Sequence, residues 1–318
     1  MKAIIVVEQG GRENLIYTDM EDPVPGRGEV LVRVRAASLN RRDIFGREGS
    51  HGMVVTPPII LGLDIAGEVE ALGEGVTQFA VGQRVMGISR RGSYAQLTTA
   101  SVAEIFPMPD WISFDEAACI PTVFATAWHM LLCRAHLSIG ETVLVIAGGS
   151  GVGSAAIQIA KRAGARVITT ASTDDKLEKA QELGADDVIN YKDIPNFSEM
   201  VLAFTSGEGV DIVFEHVGAA IWPECFASLK RGGRFINCGV TAGSRVELHL
   251  GQLWTRDLSI MGTGMQPRED LPKIIPLVER QQFRGVLYKT FPLEEAAAAQ
   301  ELLESSNFFG KLVLNPPG

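Results

Sequence analysis

The sequence predicts an α/β protein built from a β-barrel-like leading domain and a doubly wound parallel sheet. Three observations carry that prediction. A glycine run, Gly148-Gly149-Ser150-Gly151-Val152-Gly153, joins an apolar strand to a helix. Strands and helices then alternate as far as Cys238, the rhythm of a parallel sheet with crossover helices. Before Ser113 the chain instead shows short strand patterns between proline and glycine turns, with little that is helical.

Taken in order, the leading domain opens on a short strand pattern in Met1 to Glu8. Pro23, Pro25, Gly26 and Gly28 are turn signals before the strand at 29–36, where apolar and polar residues alternate. Further strands are expected at 65–73, 82–87 and 93–98. Ser113 is a candidate N-cap for helical spacing in 114–118, and a second helical stretch covers 125–133. The alternating region then reads as strand 142–147, helix 152–163, strand 166–171, helix 174–183, strand 187–190, helix 196–205, strand 210–214, helix 220–229 and strand 233–238. The tail leaves this rhythm, with a strand at 258–262, helices at 268–281 and 292–305, and a closing strand at 310–314.

A chain of 318 residues is long enough for about two domains, and 46% hydrophobic with 21% charged residues is ordinary globular composition. The formal charge of −9 argues against nucleic acid or an anionic membrane as partner. No run of about 18 apolar residues predicts a membrane span, and the first strand is too short for a signal-peptide core. Cys119, Cys133, Cys225 and Cys238 form no C-x-x-C pair, so a reducing cytoplasmic setting is expected.

The glycine run specifies a ligand class. Backbone N–H groups at a helix start, with the helix dipole behind them, attract a pyrophosphate, and glycines let the backbone approach it. Gly148 and Gly153 fit the first and third glycines of the G-x-G-x-x-G pattern, and Ser150 replaces the second. Gly149, Gly151 and Val152 complete the turn. The second strand ends in Thr170-Ala171-Ser172-Thr173, without the acid that would take the ribose hydroxyls of NAD. Ser172, Lys176 one helical turn on, and Tyr191 after the next strand suit a 2′-phosphate. The expected cofactor is therefore NADPH, although Asp174 and Asp175 dilute the basic character.

Several motifs now add up to a resemblance. They are Ser38-Leu39-Asn40-Arg41-Arg42-Asp43, Gly62-Leu63-Asp64-Ile65-Ala66-Gly67-Glu68-Val69, Gly82-Gln83-Arg84-Val85, Thr126-Ala127-Trp128-His129-Met130-Leu131, the glycine turn, Leu183 to Tyr191, and Phe309-Gly310-Lys311-Leu312-Val313-Leu314. Over nearly its whole length the chain resembles the medium-chain dehydrogenase/reductase superfamily, in its zinc-free quinone oxidoreductase (zeta-crystallin-like) branch. The resemblance implies a GroES-like barrel domain, residues 1–118 and 256–318, with a Rossmann domain inserted at 119–255. It also locates the positions that hold zinc ligands in the alcohol dehydrogenases; here they are Asn40, Leu63-Asp64 and Thr122. Leucine cannot ligate, and amide and hydroxyl are poor zinc ligands beside thiolate and imidazole. No cysteine lies between Val85 and Ser93, where a structural zinc lobe would stand. The expectation is no metal.

The resemblance implies hydride transfer from NADPH to a quinone or α,β-unsaturated carbonyl in a cleft between the domains. Asn40 is the candidate donor to a substrate carbonyl or to the nicotinamide ribose, and a turn residue bonding its own backbone is the bland alternative. His51 lies near a tyrosine suspected as proton donor in related enoyl-thioester reductases; an inert exposed histidine suits its glycine-rich loop equally well. Thr126 is expected beside the nicotinamide, Cys238 and Gly239 at a cofactor-lining strand end, and Lys311 near the cofactor phosphates. His129 is read as structural, and His136, His216 and His249 receive no role. Phe45, Met53, Trp254 and Met265 suggest a hydrophobic acceptor. A homodimer or homotetramer is implied, with Arg245 to Leu250 as the pairing edge strand. Two alternatives remain: a dinucleotide-binding protein with a structural or regulatory role and little turnover, and, further off, a zinc-type alcohol dehydrogenase.

Overall fold

The computed structural model describes residues 1–53, 55–264 and 268–318. The chain divides into two compact units, Met1–Thr122 with Leu271–Gly318, and Val123–Asp270.

The first unit is organised by one long strand, Glu29–Ser38. Its apolar residues Val30, Val32 and Val34 are buried, while Arg33 and Arg35 turn outward and pair with Glu70 and Glu68 of the antiparallel neighbour Asp64–Leu72. The alternation read from the sequence is thus a half-buried sheet face. The sheet runs Leu287–Pro292, Lys311–Asn315, Glu29–Ser38, Asp64–Leu72, Arg84–Ile88 and Ile105–Pro107, and Leu97–Ser101 also pairs with the long strand. Lys2–Val6 forms a smaller sheet with Leu15–Asp19 and Ile59–Ile60.

One helix here departs from the sequence reading. Residues Arg41–Glu48 are α-helical, started by Asn40 and closed by Gly49 at φ 69°. The Asp43 carboxylate accepts the Asn40 backbone N–H at 2.8 Å, half of a capping box. The helix is short and polar, so its apolar periodicity is too weak to register, and only the cap residues signal it.

The second unit is a six-stranded, all-parallel sheet in the order Asp187–Asn190, Arg166–Ala171, Thr142–Val145, Val210–Glu215, Leu229–Asn237, Ser259–Gly262. The order reverses beside Thr142–Val145, which places a switch point at the glycine turn. Helix Gly151–Arg162 packs a continuous apolar face, Ala155, Ala156, Ile157, Ile159 and Ala160, out of solvent. Strand Ser259–Gly262 pairs with Leu229–Asn237, so the second unit runs to Asp270 instead of stopping near 255. That strand is also the sheet's edge. Residues 245–249 form no strand and lead into helix Leu250–Thr255, so the expected edge strand at Arg245 to Leu250 is replaced by Ser259–Gly262.

Helix Pro121–Trp128 widens into a π-helical turn at His129–Arg134. By length and composition alone the stretch Phe114–Arg134 would cross a membrane, contrary to the sequence expectation, yet 61% of its most apolar window is buried inside the protein. That is the burial of a core helix.

Candidate functional site

The glycine turn is built by side-chain capping and close packing together. Ser150 is the N-cap of helix Gly151–Arg162: its Oγ accepts the Gly153 N–H at 2.9 Å. The first-turn N–H groups of Gly151 and Val152 have no acceptor within the helix and face the turn with the dipole's positive end. Gly148 and Gly153 are required by packing. A Cβ on Gly148 would stand 2.2 Å from Thr169 Oγ1, and one on Gly153 2.4 Å from the Ala147 carbonyl oxygen. The turn is tied to the next strand as Ala147 N donates to Thr170 Oγ1 at 3.1 Å and Gly148 N to the Thr170 carbonyl at 2.9 Å. The cradle fits a pyrophosphate.

His216, which no sequence pattern assigned a role, joins this turn. Its Nε2 lies 3.1 Å from Ser150 Oγ and 3.1 Å from the Ile146 carbonyl. It directly follows strand Val210–Glu215, which pairs with Thr142–Val145, a pairing that sequence spacing alone does not reveal. Glu215 accepts from the Gly218 N–H at 2.6 Å and from Asn237, and burial raises its carboxyl above the ordinary value.

At the end of the second strand Lys176 Nζ donates to Ser172 Oγ at 3.3 Å. Burial, and then the charge of Lys192, lower the Lys176 pKa. Asp175 pairs with Lys179, and Asp174 accepts from Asn190 at 3.2 Å, so both acids have cationic or amide partners of their own. Tyr191 is exposed nearby in sequence. Cys238 follows strand Leu229–Asn237, and its thiol is pushed up to about 12, by burial first and by Glu215 second, which leaves it a poor nucleophile. Gly239 sits against His216, whose carbonyl oxygen would be 2.8 Å from an added Cβ. Thr126 is half-buried on helix Pro121–Trp128.

The first unit holds a buried polar cluster around Asp64. Its Oδ2 accepts from Ser38 Oγ at 3.0 Å and Asn40 Nδ2 at 2.9 Å, and its Oδ1 from Thr122 N at 2.9 Å and Thr122 Oγ1 at 2.5 Å. Lys311 completes it. Its Nζ donates to Asn40 Oδ1 at 2.7 Å and the Leu39 carbonyl at 2.5 Å, and stands 3.5 Å from Asp64 Oδ2. Lys311 is 4% exposed and Asp64 is 0% exposed. Its strand, Lys311–Asn315, runs against Glu29–Ser38 and delivers the ammonium to Asn40, a buried partner that the sequence did not suggest. Asp64 was passed over in the sequence as a failed ligand position. Beside it, Asp43 is fully buried, accepts from Tyr94 OH at 2.8 Å, and has its pKa raised to about 6, chiefly by burial.

His51 stands apart from this cluster. It is exposed at φ 54°, stacks on Phe45 with ring centroids 4.0 Å apart, and meets Ser50 Oγ at 3.0 Å through Nδ1. Trp254 is exposed on helix Leu250–Thr255, and Met265 lies outside the described residues.

The donor set at Asp64 does not suit zinc. One carboxylate, an amide and a hydroxyl replace thiolates and imidazole, and a buried ammonium already supplies the positive charge. No step through a metal follows from it.

Comparison with known proteins agrees with this division of labour. Residues 26–110 match the alcohol dehydrogenase GroES-like domain, and residues 151–280 match the family described as zinc-binding dehydrogenase. The chain is 31% identical to a quinone oxidoreductase of Sus scrofa over 325 aligned positions, covering 99% of this chain and 97% of the relative. A solved structure described as an NAD-dependent alcohol dehydrogenase superposes with a TM-score of 0.95 at 37% identity, with 99% of each chain covered. A mycobacterial protein complexed with NADPH superposes with a TM-score of 0.91 at 31% identity, covering 99% of this chain and all of the other. The chain thus belongs to the medium-chain dehydrogenase/reductase superfamily, as an oxidoreductase related to the quinone oxidoreductases.

Proposed function

We propose that the chain is a zinc-independent, NADPH-dependent reductase of quinones or α,β-unsaturated carbonyl compounds. The observation that supports this reading is the Asp64 cluster, in which a lysine ammonium sits among Asn40 and Asp64, two of the positions that the resemblance equates with zinc ligands. Without a Lewis acid, stabilising an alkoxide for alcohol oxidation is difficult, whereas an electrophilic acceptor needs only hydride and a hydrogen bond. When bound, the nicotinamide supplies the hydride.

The protein's own residues do the rest. Lys311 on Oδ1 and Asp64 on Nδ2 fix which end of the Asn40 amide is the donor. The second Nδ2 hydrogen meets the Ser38 carbonyl only at a long 3.5 Å, which leaves it to polarise a substrate carbonyl. His51, exposed and held through Nδ1, is the proposed proton donor through Nε2. Gly148, Gly149, Ser150, Gly151, Val152 and Gly153 hold the pyrophosphate, with Thr126, Cys238 and Gly239 toward the nicotinamide end. Ser172, Lys176 and Tyr191 take the 2′-phosphate, helped by the field of Lys192. The edge strand Ser259–Gly262, with Ile260 41% exposed, suits pairing in a homodimer or homotetramer. The setting we propose is cytoplasmic.

The test is NADPH and NADH oxidation with a panel of quinones and enones. Turnover of some acceptor with NADPH preferred is expected, and Lys176→Ala should shift the preference toward NADH by about tenfold, the effect of one charge-assisted hydrogen bond. Tight NADPH binding with no turnover of any acceptor would replace this reading with a binding role. A native preference for NADH would remove the assignment of Ser172, Lys176 and Tyr191.

A further inference from the structure

The π-helical turn His129–Arg134 brings together three side chains that the proposed reduction does not use. His129 Nδ1 lies 2.9 Å from Asp270 Oδ2, and Cys133 Sγ lies 3.5 Å from Asp270 Oδ1. The three ligand-type atoms all lie within 4.8 Å of one another. Asp270 is 2% exposed, and among its partners are an imidazole on one oxygen and a thiol on the other. His129 and Cys133 are half-buried four positions apart, on one face of the turn.

We propose that His129, Cys133 and Asp270 form a binding site for a zinc-type divalent ion. Without an ion, Asp270 simply accepts from the imidazole and from the thiol; what favours an ion is the convergence of three different ligand types within 4.8 Å. A thiolate, an imidazole and a carboxylate form a ligand set that borderline-soft metals favour, and hard ions such as Mg²⁺ or Ca²⁺ do not. Tetrahedral zinc, with bonds of about 2.0–2.3 Å, needs its ligand atoms roughly 3.3–3.8 Å apart. Cys133 Sγ and Asp270 Oδ1 already meet this at 3.5 Å, while His129 faces the other oxygen, Oδ2, at 2.9 Å and has to turn or open by a few tenths of an ångström for one oxygen to serve both. Binding releases the Cys133 thiol proton to solvent, the imidazole binds neutral through Nδ1 with its one ring proton on Nε2, and water takes the fourth position. Asp270 is the last residue of the second unit. The ion would pin that point to the π turn and stiffen the segment that follows the edge strand. A single-turn π distortion at a ligand site has ample precedent among helices.

The site shares no residue with the Asp64 cluster, so zinc need not take part in turnover. The experiment is titration of the full chain, freed of metal, with Co²⁺ and then Zn²⁺. Co²⁺ should give a thiolate-to-metal charge-transfer band in the near ultraviolet at one equivalent. Zn²⁺ should displace it and raise the melting midpoint as its concentration rises. Cys133→Ser should abolish the band. His129→Gln should weaken binding beyond the ~10–100-fold that loss of an outer partner costs. Circular dichroism melts of both variants without metal confirm that each folds; if Cys133→Ser does not, retention of the band in a folded His129→Gln protein at undiminished affinity overturns the site. Absence of stoichiometric binding overturns it, as does a band that survives Cys133→Ser.

Discussion

The glycine turn of the second unit and the Asp64 cluster of the first are both polar sites, made from opposite materials. The turn is backbone. Its donors are N–H groups at a helix start, and its side chains, Ser150 and Thr170, serve to hold that backbone in place. The cluster is built mainly from side chains, with the Thr122 N–H and the Leu39 carbonyl added, and its members come from distant parts of the sequence. Asn40 and Lys311 are 271 positions apart. A backbone site tolerates change in its side chains so long as glycine's shape is kept. A side-chain cluster in a dry interior tolerates the loss of none of its charges.

That contrast breaks most readily at Lys311. Lys311→Met leaves the fully buried Asp64 without its counter-ion, so chemical denaturation should show a loss of about 3–5 kcal/mol. Dinucleotide binding by the second unit should stay within about threefold. A stability change below about 1 kcal/mol would show that Lys311 does not neutralise Asp64.

Asp43 gives the next effect, and its sign is specific. Its pKa rises from an ordinary 3.8 unfolded to about 6 folded. The folded protein therefore favours the protonated acid, and this residue's stabilising contribution is full below pH 3.8. It is lost as pH rises through about 6 and is absent above that. At ~1.4 kcal/mol per pH unit the difference is on the order of 3 kcal/mol. Unfolding free energies of the native chain and of Asp43→Asn, followed from pH 4 to 7, should diverge by that amount as pH falls, with the native chain gaining. Parallel curves would mean that Asp43 stays ionised throughout.

Gly153→Val attacks the other site. A Cβ there meets the Ala147 carbonyl at 2.4 Å, and backbone cannot move aside cheaply. The cost is about 1–3 kcal/mol of overpacking, with NADPH affinity lost in a fluorescence titration. The Asp43 pH dependence should survive the change. If it did not, the two sites would not be energetically separate.

The same contrast explains what was legible in the sequence. The strands and helices of the second unit from Thr142 to Asn190 lie where their periodicity put them, because each is long, regular and locally specified. The turn was legible because glycine, serine and an apolar strand fall within a dozen consecutive residues. Ser150 was read as a vacant glycine position, and it is the helix cap. The partners of Lys311 were not legible, because nothing near it in sequence announces Asn40 or Asp64. Helix Arg41–Glu48 lacked a strong apolar face, so only Asn40 and Asp43 marked it. His216 and the His129–Cys133–Asp270 group are meetings of segments 66 to 141 positions apart, which no local pattern encodes.

The long reach from Asn40 to Lys311 also has a consequence on the ribosome. At about 5–20 residues per second, Asn40 emerges roughly 15–55 s before Lys311. Throughout that interval the nascent barrel must keep the Asp64 carboxylate wet or bury it without a neutralising cation. The glycine turn needs only its own neighbourhood and can take shape while the closing strand is still being made. The portion of the chain synthesised first is therefore the one whose interior is sealed last, and a chaperone holding this protein would be holding its barrel.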